Sequence, residues 1–445
     1  MTTQKDQVFE LIKQEQKRQS EGLELIPSEN YVSENVLKAM GSVLTNKYSE
    51  GYPGKRYYGG NENVDKIENL AIERAKKLFH ADHANVQPHS GANANEAVYF
   101  AWCKPGDTIL AMSLPAGGHL THGSPVTRSA KIYNFVGYGV TEDGDIDYDD
   151  LEKLTLEHKP KLILVGYSAF MKVPDFDRVK AVAGKLTAET GEEVLLMADM
   201  AHVAGLIAGG VHPNPLEHGF QVMTSTTHKT LRGPRGGIIV SMGKVGNPLK
   251  KCERTLENIP TLIDRAVFPG TQGGPLEHVI AAKAVAFEED LQPEFHSYAA
   301  QIVKNAKVLA EELQTLGFKL QGNGTENHLL LVDIKDSFGI DGKFYETALD
   351  EVGLTLNANA LPTDKGGAFR PSGVRLGTPA MTTRGLGEEE MKTLAKWMKR
   401  VAEACAEAGD EAGLETKNEE LGQIREEVRA LALRFPIPGI PADAR

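Results

Sequence analysis

The sequence predicts an α/β protein whose large domain contains a mixed, mostly parallel β-sheet. Short apolar runs alternate with helical stretches over the first two thirds of the chain, which is typical of βαβ units. One of these runs ends in Asp199, and Lys229 follows another. Because parallel sheets bind ligands at the carboxyl ends of their strands, the same pattern predicts a functional site at that edge.

The elements of the first part of the chain follow in a regular order. A polar helix is expected over residues 4–20, and Pro27 and Ser28 mark a break after it. Helical stretches separate the apolar runs that predict strands, which lie at residues 108–112, 162–166, 194–198 and 222–225.

The pattern changes after about residue 274. Two long helices are expected at 276–289 and 298–316, then an apolar strand at 328–334 and a glycine- and proline-rich segment at 361–379. The tail over 388–432 is helical, with breaks at Gly409 and Gly413. We therefore expect an N-terminal arm (1–25), a large domain (26–280) and a smaller C-terminal domain (281–445).

Composition excludes several classes of protein. A net charge of −12 argues against a nucleic-acid surface. Three widely separated cysteines without a CxxC pair predict neither disulfides nor a zinc site, and no metal is expected. No signal-peptide core and no run of about 18 apolar residues is present. We expect a cytoplasmic protein that binds neither nucleic acid nor a membrane.

The pairing of Lys229 with Asp199 indicates a cofactor. Alone, a lysine after a strand is usually a solvated loop residue, and an aspartate there is most often a helix N-cap. A buried aspartate needs a cationic partner, and the pyridinium nitrogen of pyridoxal phosphate is one. A lysine Schiff base with an aspartate on the ring nitrogen is the binding pattern of that cofactor, so the pair predicts a pyridoxal phosphate site.

Three further motifs fit such a site. Ser90, Gly91 and Ala92 precede an Ala/Asn-rich helix, where backbone N–H groups would bind a phosphate. His119, on a glycine-rich loop, could stack on a pyridine ring and move protons, whereas His122 fits a structural role equally well. Glu50 lies in a loop dense in Tyr, Gly and Arg; such loops often carry function, although a surface turn with aromatic packing is the alternative.

Together these motifs resemble those of the serine hydroxymethyltransferase family. The resemblance implies the aspartate-aminotransferase-like fold type I of pyridoxal phosphate enzymes, with a smaller α+β C-terminal domain. It also implies a homodimer, or a tetramer, with active sites shared between subunits. The matching blocks follow the family's order across nearly the whole chain and cover residues 28–31, 48–60, 86–95, 117–125, 199–205, 226–237, 268–275 and 372–380.

The activity implied by the resemblance is reversible transfer of the serine hydroxymethyl group to tetrahydrofolate. The products would be glycine and 5,10-methylenetetrahydrofolate, formed through an aldimine of pyridoxal phosphate. Such a transferase serves one-carbon metabolism and the biosynthesis of glycine.

The resemblance also implies a role for each matching residue. The family's catalytic groups match Lys229, Glu50, His119, Asp199 and Thr226. Its cofactor site matches Ser90, Gly91, Ala92, His119, Ser168, Asp199, His202, His228, Lys229, Gly273, Gly274 and Tyr48. Its substrate site matches Ser28, Tyr48, Glu50, Tyr58 and Arg375, and its folate site matches Leu114, Gly118, Leu120 and Asn359.

By the same resemblance, Lys229 carries the cofactor, Asp199 meets the pyridinium nitrogen and His119 stacks on the ring. Arg375 holds the substrate carboxylate, for which a bidentate guanidinium is well suited. Glu50 is the acid/base group near the serine hydroxyl. The matching Tyr48, Tyr58, Gly273 and Gly274 reach the site across the dimer interface.

The chain also departs from the family's pattern, at Asn61, Pro115, Ala116, Phe170, Met171, Lys172 and Ala358. Since Ala116 and Ala358 lie near the folate positions, these departures concern the one-carbon acceptor. Alternative activities are a folate-independent aldolase for threonine or allo-threonine and an α-methylserine hydroxymethyltransferase. A catalytically silent scaffold or RNA-binding regulator is a third alternative, against which the presence of Lys229 and Arg375 argues.

Overall fold

The computed structural model describes residues 6–248, 250–362, 364 and 371–440. The chain divides into two compact units. The large unit is Asn35–Ala300, and the discontinuous unit combines Met1–Glu34 with Gln301–Arg445.

Strands and helices alternate along most of the described chain. The strands are β1 (Leu23–Glu24), β2 (Gly51–Tyr52), β3 (Lys55–Arg56), β4 (His83–Asn85), β5 (Thr108–Met112), β6 (Asn134–Tyr138), β7 (Leu162–Gly166), β8 (Leu195–Asp199), β9 (Val222–Thr226), β10 (Gly237–Ser241), β11 (Lys319–Leu320), β12 (Leu329–Asp333), β13 (Leu354–Thr355), β14 (Asn357–Asn359) and β15 (Gly373–Gly377).

The helices are α1 (Gln7–Glu21), α2 (Glu34–Met40), α3 (Glu62–Phe79), α4 (Gly91–Trp102), α5 (Arg128–Ile132), α6 (Tyr148–His158), α7 (Phe176–Thr190), α8 (Ala204–Ala208), α9 (Ile259–Arg265), α10 (Glu277–Asp290), α11 (Pro293–Thr315), α12 (Ile334–Phe338), α13 (Gly342–Glu351), α14 (Pro379–Thr383), α15 (Glu388–Ala408), α16 (Glu411–Leu414) and α17 (Asn418–Arg434). Among the residues described, no helix has both the length and the apolar character needed to cross a membrane.

The large unit contains a seven-stranded sheet in the order β4-β10-β9-β8-β7-β5-β6. Strands β5 to β9 pair in parallel, whereas β10 is antiparallel to both of its neighbours. The predicted mixed, mostly parallel sheet is therefore confirmed. Two predicted strands match in full, and β8 begins one residue later than expected and includes Asp199.

The central strands of this sheet are buried along their whole length. Strands β7, β8 and β9 contain no exposed position, as expected for parallel strands covered on both faces. On one face, Val98 of α4 joins a core with Ile109, Leu164, Met197 and Ile239. Helix α4 is thereby fixed across the middle of the sheet.

The discontinuous unit is built on a four-stranded antiparallel sheet in the order β11-β12-β15-β14. Its inner strand β15 lies within the segment expected only to be rich in glycine and proline. Val374 and Leu376 of this strand are buried in the unit's core. Residues 363 and 365–370 of the same segment lie outside the described residues.

The units divide the chain differently from the predicted domains. The division falls at residue 300 instead of 280, because helix α10 packs against α3 of the large unit. The predicted N-terminal arm belongs to the discontinuous unit, where Leu23 of β1 pairs with Leu354 of β13. The tail is helical as predicted and is broken at Gly409, the C-cap of α15, whereas Gly413, the second predicted break, lies within α16.

Arg384 ties both chain ends together within the discontinuous unit. Its buried guanidinium donates to the carbonyls of Ser20 and Gly22 at the end of α1, at 3.1 and 2.7 Å. It also donates to the carbonyls of Ala432 and Phe435 at the end of α17, at 2.5 and 2.8 Å. One side chain therefore satisfies carbonyls that two helix ends would otherwise leave unpaired.

We predict that Arg384→Met lowers the free energy of unfolding of this unit by about 2–4 kcal/mol, since several buried carbonyls lose a charged donor. Urea unfolding followed by circular dichroism would measure the change. Lys392→Met is the matched control, because Lys392 is an exposed residue of α15 that pairs with its neighbour Glu389. An unchanged unfolding midpoint in the Arg384 variant would contradict this role.

Candidate active site

The carboxyl ends of adjacent parallel strands bring several predicted residues to one edge of the large sheet. Asp199 is the last residue of β8 and pairs with Gly166, the last residue of β7. Thr226 is the last residue of β9, and Lys229 follows in the loop to β10. Ser168 follows β7, and its N–H donates to Gly117 O at 2.7 Å.

Asp199 is a buried carboxylate with several hydrogen-bond donors. Its Oδ2 accepts from Asn95 Nδ2 at 2.7 Å and from His122 Nε2 at 3.0 Å, and its Oδ1 accepts from the Ala201 N–H at 3.1 Å. Asn95 is fixed in turn, because its Oδ1 accepts from Thr224 Oγ1 at 2.7 Å. The carboxylate is thus held in one orientation by α4, β9 and the loop after β5.

The electrostatics keep Asp199 ionised. Burial alone would raise the pKa of its carboxyl, but the hydrogen bonds from His122 and Asn95, together with the neighbouring His119, hold that pKa below its usual range. The pKa of His119 is lowered, first by burial and also by the charge of Lys229, although Asp199 opposes the shift. A neutral imidazole thus lies close to both Asp199 and Lys229.

The two histidines after β5 have different partners. His119 Nδ1 lies 2.8 Å from Thr121 Oγ1, whereas the buried His122 binds Asp199. His122 Nδ1 also accepts the His119 N–H at 3.1 Å, which places the ring proton on Nε2, toward Asp199. The ligand atoms of His119, His122 and Asp199 lie within 4.8 Å of one another, a composition that could also hold a metal ion.

Several hydrogen bonds hold the loop that carries Lys229. Thr227 Oγ1 donates to Pro234 O at 2.6 Å, and the Gly233 N–H donates to Thr227 O at 2.8 Å. Thr230 Oγ1 donates to the carbonyl of the buried His202 at 2.9 Å. Burial lowers the pKa of the adjacent His228 to about 3. Lys229 is itself buried, and these hydrogen bonds fix the backbone on both sides of it.

The start of helix α4 forms an anion cradle beside Thr226. Ser90 caps the helix by accepting the Asn93 N–H at 3.2 Å, so the first N–H groups of the helix, from Gly91 and Ala92, are available for an anion. A Cβ on Gly91 would lie 2.8 Å from Thr226 Cγ2. Within the described structure, the buried Thr226 Oγ1 has no hydrogen-bond partner. Small residues and an unsatisfied hydroxyl fit a phosphate here.

Glu50 belongs to a separate exposed patch with four other predicted residues. Tyr48 OH donates to Glu50 Oε1 at 3.3 Å, and the Tyr48 and Tyr58 rings meet edge to face at 5.2 Å. A Cβ on Gly274 would lie 3.3 Å from the Tyr48 ring, and one on Gly273 would lie 3.5 Å from Glu50 Oε1. Glu50 thus groups with the four residues that are expected to reach across a dimer interface.

Arg56 holds the backbone on both sides of Glu50. Its Nη1 donates to Ser49 O at 2.8 Å and to Gly51 O at 3.1 Å. The same buried guanidinium binds Asp65 at 2.8 Å and Glu68 at 2.5 Å. Burial alone would lower the pKa of Arg56, but the neighbouring carboxylates outweigh it and raise that pKa above its usual value. The position of the Glu50 carboxylate therefore depends on a buried ion cluster.

The remaining predicted residues lie elsewhere. Arg375, Ser28 and Asn359 belong to the discontinuous unit. There Arg375 Nε donates to Asn357 Oδ1 at 3.0 Å, and burial lowers the pKa of the guanidinium to about 10.

In the large unit, the predicted folate residues lie on the loop after β5. Leu114 and Leu120 are each 49% exposed. A Cβ on Gly118 would lie only 2.1 Å from Met112 O, so the loop requires glycine there.

Sequence reasoning missed four residues that support this site. Asn95 and Arg56 lie inside motifs that the sequence analysis identified, but neither was assigned a role. For His122, the sequence did not distinguish a functional role from a structural one. The fourth, Lys283, donates to three backbone carbonyls near the anion cradle. A single lysine within the apolar run 279–287 was the available signal.

A strand-end aspartate, a lysine after the next strand and an anion cradle, all on a mostly parallel sheet, define a pyridoxal-phosphate-dependent α/β enzyme. The family model of serine hydroxymethyltransferase matches residues 1–398. The chain therefore belongs to the serine hydroxymethyltransferase family and has its fold type I architecture, as the sequence motifs predicted.

We predict that His122→Leu weakens pyridoxal phosphate binding by roughly 10–100-fold, since a buried carboxylate loses a hydrogen bond typically worth about 1.5–3 kcal/mol. Titration of the apoenzyme, followed by absorbance, would measure the affinity. His122→Gln retains a side-chain donor and should lose less. Equal affinities in both variants and the wild type would show that His122 does not support Asp199.

Proposed function

We propose that this enzyme transfers the hydroxymethyl group of serine reversibly to tetrahydrofolate, giving glycine and 5,10-methylenetetrahydrofolate. Membership of the family supports pyridoxal-phosphate-dependent hydroxymethyl transfer. The observation that carries the finer proposal is the placement of Glu50, a carboxylate beside Tyr48 whose flanking carbonyls are both bound by Arg56. Such a fixed carboxylate suits proton transfer to and from a hydroxymethyl oxygen.

The cofactor would be held by residues of the large unit. Lys229 would bind it covalently, Asp199 would meet the pyridinium nitrogen, and Ser90 with its neighbours would bind the phosphate. His119, Ser168, Thr226, His202 and His228 would surround the ring and its substituents. When bound, pyridoxal phosphate supplies an electron sink for the bond that breaks at Cα. The ionised Asp199 favours the protonated ring nitrogen on which this depends.

Arg375 is proposed to bind the carboxylate of the amino acid, assisted by Ser28. The bond from Arg375 Nε to Asn357 fixes the plane of the guanidinium. Burial disfavours the charge of this guanidinium, and a bidentate, charge-assisted hydrogen bond to a substrate carboxylate would offset that cost. The guanidinium of Arg375 would thereby orient serine for cleavage of the Cα–Cβ bond.

Glu50 is proposed to exchange a proton with the hydroxymethyl oxygen. In the direction of serine cleavage, its carboxylate accepts the hydroxyl proton as the Cα–Cβ bond breaks, and the one-carbon unit leaves as formaldehyde or passes to the folate. In the reverse direction it returns the proton. Tyr48, which hydrogen-bonds Glu50, and Tyr58, which packs on Tyr48, would line the same place.

The folate is proposed to contact Leu114, Gly118, Leu120 and Asn359. The exposure of both leucines supports this, since a pterin ring would cover apolar surface. Two of the residues that depart from the family's pattern lie in the large unit: Ala116 is buried, and Lys172 forms an ion pair with Asp145 at 2.7 Å.

We also propose a homodimer with shared active sites, in the cytoplasm. The supporting observation is that Tyr48, Tyr57 and Tyr58 are each more than half exposed. Monomeric proteins rarely expose such aromatic clusters. A second subunit would cover these rings and receive Glu50, Gly273 and Gly274 with them.

We predict that Arg375→Ala weakens binding of serine and glycine by about 2–5 kcal/mol, because a carboxylate loses its bidentate partner. Spectral titration of the holoenzyme would measure this. Borohydride reduction and peptide mapping should still find the cofactor on Lys229. Arg400→Ala, which alters a half-exposed Arg400–Glu427 pair, is the control. Unchanged serine affinity would place the carboxylate site elsewhere.

We predict that Glu50→Gln retains cofactor and serine binding while turnover falls by roughly 10²–10⁴-fold, the usual contribution of a positioned proton-transfer group. Serine-to-glycine conversion should be measured with and without tetrahydrofolate. Glu62→Gln, at an exposed position of α3, is the control. Strong folate dependence in the wild type, lost in Glu50→Gln, is the expected result.

Other outcomes of the same assay separate the alternative activities. Equal rates with and without tetrahydrofolate would remove folate from the reaction and favour an aldolase. Faster turnover of threonine or allo-threonine would support that conclusion, and preference for α-methylserine would indicate the methylserine transferase.

A further inference from the structure

The backbone that leads into the anion cradle is clamped by side chains from one segment of the chain. Lys283 Nζ donates to Val86 O at 2.7 Å and to Pro88 O at 3.2 Å. Gln272 Nε2 donates to Gln87 O at 2.9 Å, and Gln272 Oε1 accepts the His89 N–H at 3.0 Å. Four consecutive residues before Ser90 are therefore held by Lys283 and Gln272.

The same ammonium group binds a third carbonyl, at one end of a second strand. Lys283 Nζ donates to Gly237 O, at the start of β10, at 2.7 Å. The Gly237 N–H donates to Pro88 O at 3.0 Å, and a Cβ on Gly237 would lie 2.3 Å from Ser90 O. Lys283 thus binds the cradle to the strand that follows the Lys229 loop. A Cβ on Gly236 would lie 2.7 Å from Lys283 Cε, so the lysine side chain packs closely against this backbone.

Lys283 is an unusual cation because carbonyl dipoles are its direct partners. It is 1% exposed, and within the described residues no carboxylate lies within ion-pair distance of its Nζ. Burial lowers its pKa to about 7, against the charges of Glu68 and Glu277. Leaving a buried charge without a counter-charge is costly. Three hydrogen bonds and the more distant charges of Glu68 and Glu277 offset this cost in part.

We propose that Lys283 and Gln272 are positioning residues for the cofactor phosphate, and that the Lys283 charge also attracts the phosphate. Lys283 fixes the carbonyls at 86, 88 and 237, Gln272 fixes the turn at 87 and 89, and together they aim the first N–H groups of α4. A phosphate dianion would add a counter-charge to those of the more distant Glu68 and Glu277, and this electrostatic attraction is strong where water is excluded. The inference rests on the proposed placement of the phosphate at the start of α4.

The test compares pyridoxal phosphate with pyridoxal, which lacks the phosphate. Lys283→Met should weaken apoenzyme binding of pyridoxal phosphate by about 10–100-fold, as expected when hydrogen bonds from a charged donor are lost, and leave pyridoxal binding unchanged. Gln272→Met should give a smaller loss with the same selectivity, since no charge is removed. Lys66→Met, at an exposed position of α3 in the same unit, is the control.

A second readout needs no cofactor. Inorganic phosphate should raise the unfolding temperature of the wild-type apoenzyme, because a ligand that binds only the folded state stabilises it. The rise should be smaller in Lys283→Met and in Gln272→Met, and unchanged in Lys66→Met.

Equal weakening of pyridoxal and pyridoxal phosphate in both variants would overturn the inference, because it would indicate general support of the fold. Unchanged binding of pyridoxal phosphate would overturn it as well. If Lys283→Met does not fold, Gln272→Met decides the question, because Gln272 is only half-buried.

Ser90→Ala distinguishes failure of the inference from failure of the phosphate placement. If this variant retains the full preference for pyridoxal phosphate over pyridoxal, the phosphate does not lie at the start of α4. If Ser90→Ala loses that preference while the Lys283 and Gln272 variants keep it, the placement stands and the clamp is refuted.

Discussion

The hydrogen bonds to the Asp199 carboxylate are the interaction on which the edge of the large sheet depends. A buried carboxylate is tolerated only when charged or polar partners meet it. Here one partner, Asn95, lies on α4, another, His122, follows β5, and Thr224 of β9 holds Asn95. The requirement to satisfy one carboxylate therefore fixes three elements together.

This arrangement also sets the distance between the two ends of the proposed cofactor site. Asn95 lies on the same helix as Gly91, one turn further along. The helix that binds Asp199 is thus the helix whose start forms the anion cradle, and a helical turn is a rigid spacer. Close glycine contacts, with Thr226 at Gly91 and with Ser90 at Gly237, leave no room for the cradle to shift. Rigid spacing of this kind suits a cofactor held at its ring and at its phosphate.

The sequence predicted those parts of the fold and site that depend on local pattern. Apolar runs identified the parallel strands, and the end of one run placed Asp199 at the carboxyl edge. Strand β15 was hidden in a glycine- and proline-rich segment, although its apolar residues Val374 and Leu376 alternate with Arg375. The choice of His122 as the partner of Asp199 depends on how the loop after β5 meets β8, which no local pattern encodes.

The buried ions were similarly beyond local pattern. Lys283 lies in an apolar run and Arg56 in a recognised motif, but only tertiary packing determines that each side chain is buried and bonded to backbone carbonyls. The extent of the large unit depends in the same way on tertiary packing, because the contact of α10 with α3 joins segments about 200 residues apart.

The carbonyl cluster around Arg384 has a consequence for synthesis on the ribosome. Residues 35–300 form a continuous unit that can fold once it has emerged, whereas helix α1 obtains its closing contacts only when Arg384 and the end of α17 have been made. At synthesis rates of about 5–20 residues per second, the first helix waits on the order of tens of seconds for its partners. Leu23 and Leu25, which follow this helix and are buried in the finished core, would stay exposed during that interval, and this is the stage at which a nascent chain would most need protection by a chaperone.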